Sequence, residues 1–264
     1  MVSCETALPE PGVNLVRERP FIVRSSKLLP ERTAHHLTTH HLTAMCGRYT
    51  FIAPAPAIEK RFQAKFNGSA PTTYNAAPSQ RLPVITNAAP GQSQLLSWGL
   101  VPSWSKDPAG GPKPINARAE TLAEKPSFRQ LLGRRRCLVL ADSFFEWQAT
   151  PAGKVPHRIL LRDEQPFAFA GLWDEWLDRA TGELHPTFTI ITTAPNALMA
   201  NIHNRMPVIL PGSAAEHAWL ADDLSPAAHQ QILVPYDAAA MREYVISTRV
   251  NSPAHNDAEV LAAA

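Results

Sequence analysis

The sequence predicts a single α+β domain: a mostly antiparallel or mixed β-sheet core, barrel-like, with short peripheral helices. Three observations predict it. Segments rich in branched and aromatic residues, bounded by turn residues, outnumber helical patterns. Proline supplies 25 of 264 residues, about twice its usual share, which disfavours long helices and favours rigid turns and sheet edges. Apolar residues make up 45% and charged residues 18%, enough for a packed core and too apolar for wholesale disorder.

The elements follow in chain order. Pro54–Phe66 has a proline-rich start and apolar residues near helical spacing, so it predicts a short helix. Arg81–Asn87 and Gln94–Val101 read as strands. Ala119–Leu132 reads as a helix that Pro126 breaks or kinks. Arg136–Trp147 (RCLVLADSFFEW) reads as one buried strand running into a turn. Arg158–Arg162, Phe167–Trp173, Phe188–Thr193 and Met206–Leu210 are further strands. Ala214–Leu220 and Pro226–Leu233 read as helices, and Tyr244–Val250 as a late strand. No repeat or long linker divides this part of the chain.

Residues 1–44 stand apart. They hold five Lys/Arg, four Asp/Glu and four histidines, but no Trp or Tyr. They lack the apolar stretch of a secretory signal, and their acidic residues argue against a transit peptide. The segment is expected to be either a disordered tail or an extension absent from the working protein. The domain proper is 45–264.

Other function classes are excluded by composition. The longest apolar runs are too short for a membrane-spanning helix. The formal net charge is only +2, so any nucleic-acid binding must come from a local patch. Cys4, Cys46 and Cys137 form neither a disulfide framework nor a zinc pattern, and the core histidines do not pair with them at ligand spacing. No metal, cofactor or membrane partner is expected, and a reducing cytoplasm is the natural compartment.

Six clusters mix polar and aromatic residues: MCGRY (45–49), YNAAP (74–78), WGLVPSW (98–104), NARAET (116–121), FFEW (144–147) and HNRMP (203–207). Each member has an ordinary reading. Cys46 is a buried thiol or a nucleophile. Glu146 is a solvated carboxylate if it points outward; inside an apolar face its pKa rises and it becomes a proton carrier. His203 caps a turn or acts as an acid/base. Asn116 satisfies loop backbone or orients a reactant. Arg48, Arg118 and Arg205 are surface charges or, together, a phosphate grip. Trp104 is a turn residue or a stacking surface for a base.

In this order, the six clusters resemble the SOS response-associated peptidase (SRAP) family across nearly all of residues 45–264, and none of 1–44. The resemblance implies a protein that covalently captures abasic sites in single-stranded DNA, acting as a monomer at sites of damage in the nucleoid. An N-terminal cysteine carries both an amine, which forms an imine with the abasic aldehyde, and a thiol, which closes a thiazolidine ring. Cys46 fits only with its α-amine free, either because translation starts at Met45 or because the protein cleaves itself before Cys46. The resemblance further implies that Asn116 orients the amine, Glu146 moves protons and His203 assists sugar opening. Arg48, Arg118 and Arg205 would grip phosphates, and Trp104 and Asn75 would line the DNA channel. Ser105 stands where some relatives carry a second tryptophan, and Met206 where some carry an arginine. Two other readings use the same residues. One is a cysteine peptidase acting in trans, with Cys46, His203 and Asn116 or Glu146. The other is a non-catalytic single-strand binder.

Overall fold

The structure, a computed structural model, describes residues 46–264 except 67, 68, 70 and 107. The expected extension, 1–44, lies outside the described residues.

The chain runs β1 (Tyr49–Phe51), α1 (Ala55–Phe62), β2 (Lys65–Phe66), β3 (Thr73–Ala76), β4 (Arg81–Thr86), β5 (Gln92–Trp98) and β6 (Asn116–Arg118). It continues through α2 (Pro126–Arg134), β7 (Arg136–Ala141), β8 (Ser143–Thr150), β9 (Gly153–Leu161), β10 (Phe167–Leu177) and β11 (Leu184–Thr193). The last elements are β12 (Met206–Pro207), α3 (Gly212–Leu220), α4 (Pro226–Gln231) and β13 (Met241–Val245).

Five strands close a barrel. β11, β10, β7, β4 and β5 pair antiparallel in that order. A short parallel seam, Thr187 opposite Ser97 and Phe188 opposite Trp98, returns β5 to β11. Closure leaves no bare edge between these strands. The wall is tight at Gly171. A Cβ there would stand 2.8 Å from the Cys137 sulfur and 3.0 Å from the Thr189 carbonyl oxygen, so a side chain does not fit.

A second sheet, in the order β13-β9-β8-β1-β3, packs against the barrel. The two share one apolar core. Its aromatic centre joins Tyr49 of the second sheet to Trp98 and Phe169 of the barrel, with ring centroids 5.3 and 5.9 Å apart. The expected α+β, barrel-like domain with short peripheral helices is the one found.

Several element boundaries differ from expectation, each for a physical reason. Arg136–Trp147 is two strands in two sheets, with Asp142 as the corner. Its carboxylate accepts hydrogen bonds from the Ile52 and Ala53 amides, and its own N–H donates to Thr50. The helix expected over Ala119–Leu132 is a single 3-10 turn, Ala119–Thr121, followed by α2. Pro126 opens that helix at its first turn, where its missing N–H costs nothing. The helix expected to reach Phe66 ends at Phe62, because Gln63 turns left-handed at φ 53°. The late strand is Met241–Val245, and a 3-10 turn occupies Thr248–Asn251. The short strands β1, β2, β3 and β6 were not anticipated.

Candidate active site at the open edge of β8

β1 pairs with β8 only through Thr50–Ser143 and Tyr49–Phe144, with one further bond from the Phe145 amide to the Arg48 carbonyl. Beyond that point residues 46 and 47 peel away, and the edge of β8 is open. Cys46 therefore lies beside the stretch of β8 that carries Glu146.

The two meet directly. The Cys46 backbone N–H donates to Glu146 Oε1 at 2.7 Å, and both residues are buried. Cys46 stands at φ 40°, a left-handed conformation that costs a residue with a side chain on the order of 1–3 kcal/mol. Glu146 shares the Phe144 face of β8, the side of the main core, while Phe145 and Trp147 face the smaller cluster of Ile246, Val250 and Val260. Burial pushes its carboxyl up to about 8, against the opposing pull of the Cys46 and Trp147 amides and of Lys154. Burial, together with Glu146, pushes the Cys46 thiol well above its usual value. An inward-pointing Glu146 is the case in which the sequence made it a proton carrier.

A cleft of about 580 Å³ opens onto Glu146, with Cys46 buried behind it. Its walls include Glu146, Trp147, Lys154, His203, Asn204 and Asn251. Half-buried His203 has its pKa lowered, chiefly by burial, while its Nδ1 accepts the Arg205 amide at 3.2 Å. A lowered pKa keeps the imidazole neutral near pH 7, able to accept or donate a proton. Lys154 acts electrostatically on both Glu146 and His203.

Asn116 opens β6, which runs parallel to β11 with Asn116 opposite Ile190. The neighbouring Ile115 side chain lies about 4.0 Å from where a Cβ on Gly47 would stand, which puts Asn116 near the Cys46 segment.

The three arginines have different surroundings. Arg48 donates to Asn75 Oδ1 at 2.9 Å and to the carbonyls of Val250 and Asn251 at 2.8 and 3.2 Å. Asn75 is fully buried, and its amide donates to the carbonyls of Val250, Ser252 and His255. The pair thus fastens the C-terminal segment behind the cleft, and Asn75 presents no surface to a ligand. Arg205 makes a bidentate ion pair with Glu120, at 2.6 and 2.9 Å, and also donates to the Thr192 carbonyl. Those hydrogen bonds hold the Glu120 carboxyl below its usual range. Arg118 on β6 is exposed to solvent. Trp104 is 68% exposed and lines a separate groove of about 610 Å³ with Lys113, Lys125 and several prolines.

Sequence reasoning missed Lys154, Trp147 and Asn251 as cleft residues. Trp147 was quoted only as part of FFEW; its indole N–H donates to Asn251 Oδ1 at 2.7 Å and joins the C-terminal segment to the cleft wall. Among the described residues, no three His, Cys, Asp or Glu side chains gather to hold a metal ion. No helix there is long and apolar enough to cross a membrane.

Comparison with known proteins places the chain. The family model described as SOS response associated peptidase (SRAP) matches residues 45–253. The abasic site processing protein YoqW of Bacillus subtilis is 45% identical over 223 residues, which cover 82% of this chain and 99% of that one. The abasic site processing protein HMCES of Gallus gallus is 33% identical over 221 residues, covering 72% of this chain and 65% of that one. A crystal structure of a protein from Bacteroides thetaiotaomicron superposes with a TM-score of 0.76 at 35% identity, covering 83% of this chain and all of the other.

Proposed function

The chain belongs to the SOS response associated peptidase (SRAP) family, and on that footing we propose that it processes abasic sites in single-stranded DNA by covalent capture on Cys46. The observation that carries this reading is the buried contact between the Cys46 nitrogen and Glu146, set at the head of a cleft that also holds His203. A main-chain nitrogen held on a carboxylate of raised pKa is the arrangement a nucleophilic amine needs once the residues before it are gone.

The working protein then begins at Cys46. Two observations support this. The family match starts at Met45, and the strained φ of Cys46 is relieved when the preceding peptide is removed. The route is either initiation at Met45 with loss of the methionine, or self-cleavage.

Each residue has a defined task. Glu146 takes a proton from the α-ammonium. The freed lone pair attacks C1′ of the ring-opened sugar, and the carbonyl π electrons move to oxygen. The nitrogen passes a proton to that oxygen, Glu146 returns the ammonium proton to the carbinolamine hydroxyl, water leaves to give the iminium, and Glu146 takes the iminium N–H proton to leave the imine. The Cys46 thiol adds to the imine carbon, its proton goes to nitrogen, and the thiazolidine closes. His203 serves the sugar ring-opening as acid/base, and Asn116 orients the amine. Arg118 and Lys154 offer charge to phosphates beside the lesion, with Arg48 and Arg205 behind them. Trp104 offers a ring to bases further along the strand.

A cysteine peptidase acting in trans is the weaker reading. It needs a readily ionised thiol beside an imidazole, and here the thiol is pushed the other way. The test is incubation of the protein with a free Cys46 amine on a single-stranded oligonucleotide carrying one abasic site. The expected result is an adduct that survives denaturation, lost in Cys46→Ala and lost when the α-amine is blocked. Retention after blocking would overturn the thiazolidine route. Undiminished binding function in Cys46→Ala with no adduct in the parent would favour a non-catalytic binder.

A further inference from the structure

Capture by Cys46 leaves a proton to be disposed of. An α-ammonium and an aldehyde give a thiazolidine, one water and one proton, and the residue that receives that proton first is buried. The second sheet holds a group beside Glu146 that the scheme above does not use. His157 on β9 is the direct cross-strand partner of Glu146 on β8, and such partners project from the same face with Cβ atoms ~5 Å apart. His157 is 6% exposed. Its Nδ1 lies 2.6 Å from Glu243 Oε2 on β13, and its Nε2 is buried with no hydrogen-bond partner in the protein. The side chain of Glu243 is 34% exposed, so the far end of this line reaches water.

We propose that His157, oriented by Glu243, is the proton acceptor behind Glu146. The proton that Glu146 holds once water has departed, the one released in net by the Cys46 ammonium, passes to the free Nε2 of His157, either directly or through one water. The resulting imidazolium is stabilised by the Glu243 carboxylate and releases its proton to solvent. The charged groups around this line are Glu146 from β8, Glu243 from β13 and Cys46 ahead of β1. Lys154 lies on β9 itself and His203 across the cleft. Arg158, next in the chain, projects from the opposite face, where it bonds Ser143 and Tyr244. His157 acts through Glu146 and is a positioning residue in this scheme.

The proposal rests on the covalent-capture reading, and its test separates the two. Single-turnover adduct formation on an abasic single-stranded oligonucleotide is followed at about pH 7 and about pH 9 for the parent, His157→Gln and Glu243→Gln. At the lower pH the amine enters as ammonium. There His157→Gln should slow the reaction roughly tenfold or more, with Glu243→Gln showing a smaller loss. At the higher pH the amine enters neutral, no proton need be shed, and the three rates should converge. An equal loss at both pH values would mark a structural role and overturn the proposal, as would no loss at either. A second readout does not depend on activity. The NMR ring resonances of His157 should shift in Glu146→Gln, because the side chain across the strand from it has changed; unmoved resonances overturn the proposal. If the parent itself forms no adduct, the capture reading fails, and the ring resonances still decide whether Glu146 and His157 are in contact.

Discussion

At the scale of single residues, the chemistry turns on which way Glu146 faces. FFEW alone left inward and outward equally open; cross-strand register decides it, by setting Glu146 on the side of its sheet that carries the core residues Phe144 and Ile159. The register has a thermodynamic consequence. A carboxyl whose pKa rises from 4.5 to about 8 on folding binds more protons in the folded than in the unfolded state between those values. The folded state is therefore most favoured below the ordinary value, and that advantage is lost as pH rises through about 8. A displacement of that size is worth roughly a few kcal/mol at ~1.4 kcal/mol per pH unit. Glu146→Gln removes the titrating group, so its stability relative to the parent should increase from pH 5 to pH 9. Denaturant midpoints at the two pH values check this, and parallel shifts would show that Glu146 is not buried as described. Cys46, Glu146, His203 and Asn116 could be singled out in the sequence as members of the six clusters, and their proposed roles came from the family those clusters resemble. His157 was not, since nothing in a linear string reveals that it stands opposite Glu146.

At the scale of elements, the cleft depends on a segment with little regular structure of its own. Residues 248–255 are held by side chains reaching from distant strands, and Asn75 alone donates to three of their carbonyls. Asn75→Ala would leave those carbonyls, and the Arg48 guanidinium, short of partners, at a cost of about 1–3 kcal/mol. The variant should show faster amide exchange in 248–255 and slower adduct formation, because Asn251 and Trp147 share the cleft wall. Slower chemistry with unchanged exchange would point to a direct ligand contact and overturn the anchoring role. Strand-rich segments such as Arg81–Thr86 and Phe167–Leu177 could be read from composition, because branched and aromatic residues suit a buried pleated surface. The two- to four-residue strands β1, β2, β3 and β6 could not. β1 and β6 exist because neighbouring strands offer hydrogen bonds, and neither has enough length to show a period. The corner at Asp142 was hidden for a similar reason, since one polar residue between two apolar runs looks like a strand's solvent-facing position.

At the scale of the whole molecule, two features of composition find a use. Prolines open α2 and α4 and lie in the first turn of α1, so part of the excess that argued against helices in fact starts them. The other feature is the near-neutral charge. With a formal net charge of +2, no broad field gathers DNA, and several candidate cations are already engaged: Arg205 by Glu120, Arg48 by backbone carbonyls. On the covalent-capture reading, non-covalent affinity for single strands falls to side chains that face solvent, such as Arg118 on β6, Lys154 at the cleft, and Lys113 and Lys125 beside Trp104. Each phosphate contact contributes about −0.7 to the slope of log K against log salt for single strands. Binding of an intact single-stranded oligonucleotide should therefore show a shallow slope, corresponding to a handful of contacts. Arg118→Ala should flatten it by about 0.7 and weaken binding alike on all sequences. A loss confined to some sequences would mean that Arg118 reads bases. An unchanged slope would mean that it touches no phosphate, leaving the strand to follow the groove of Trp104 and its two lysines.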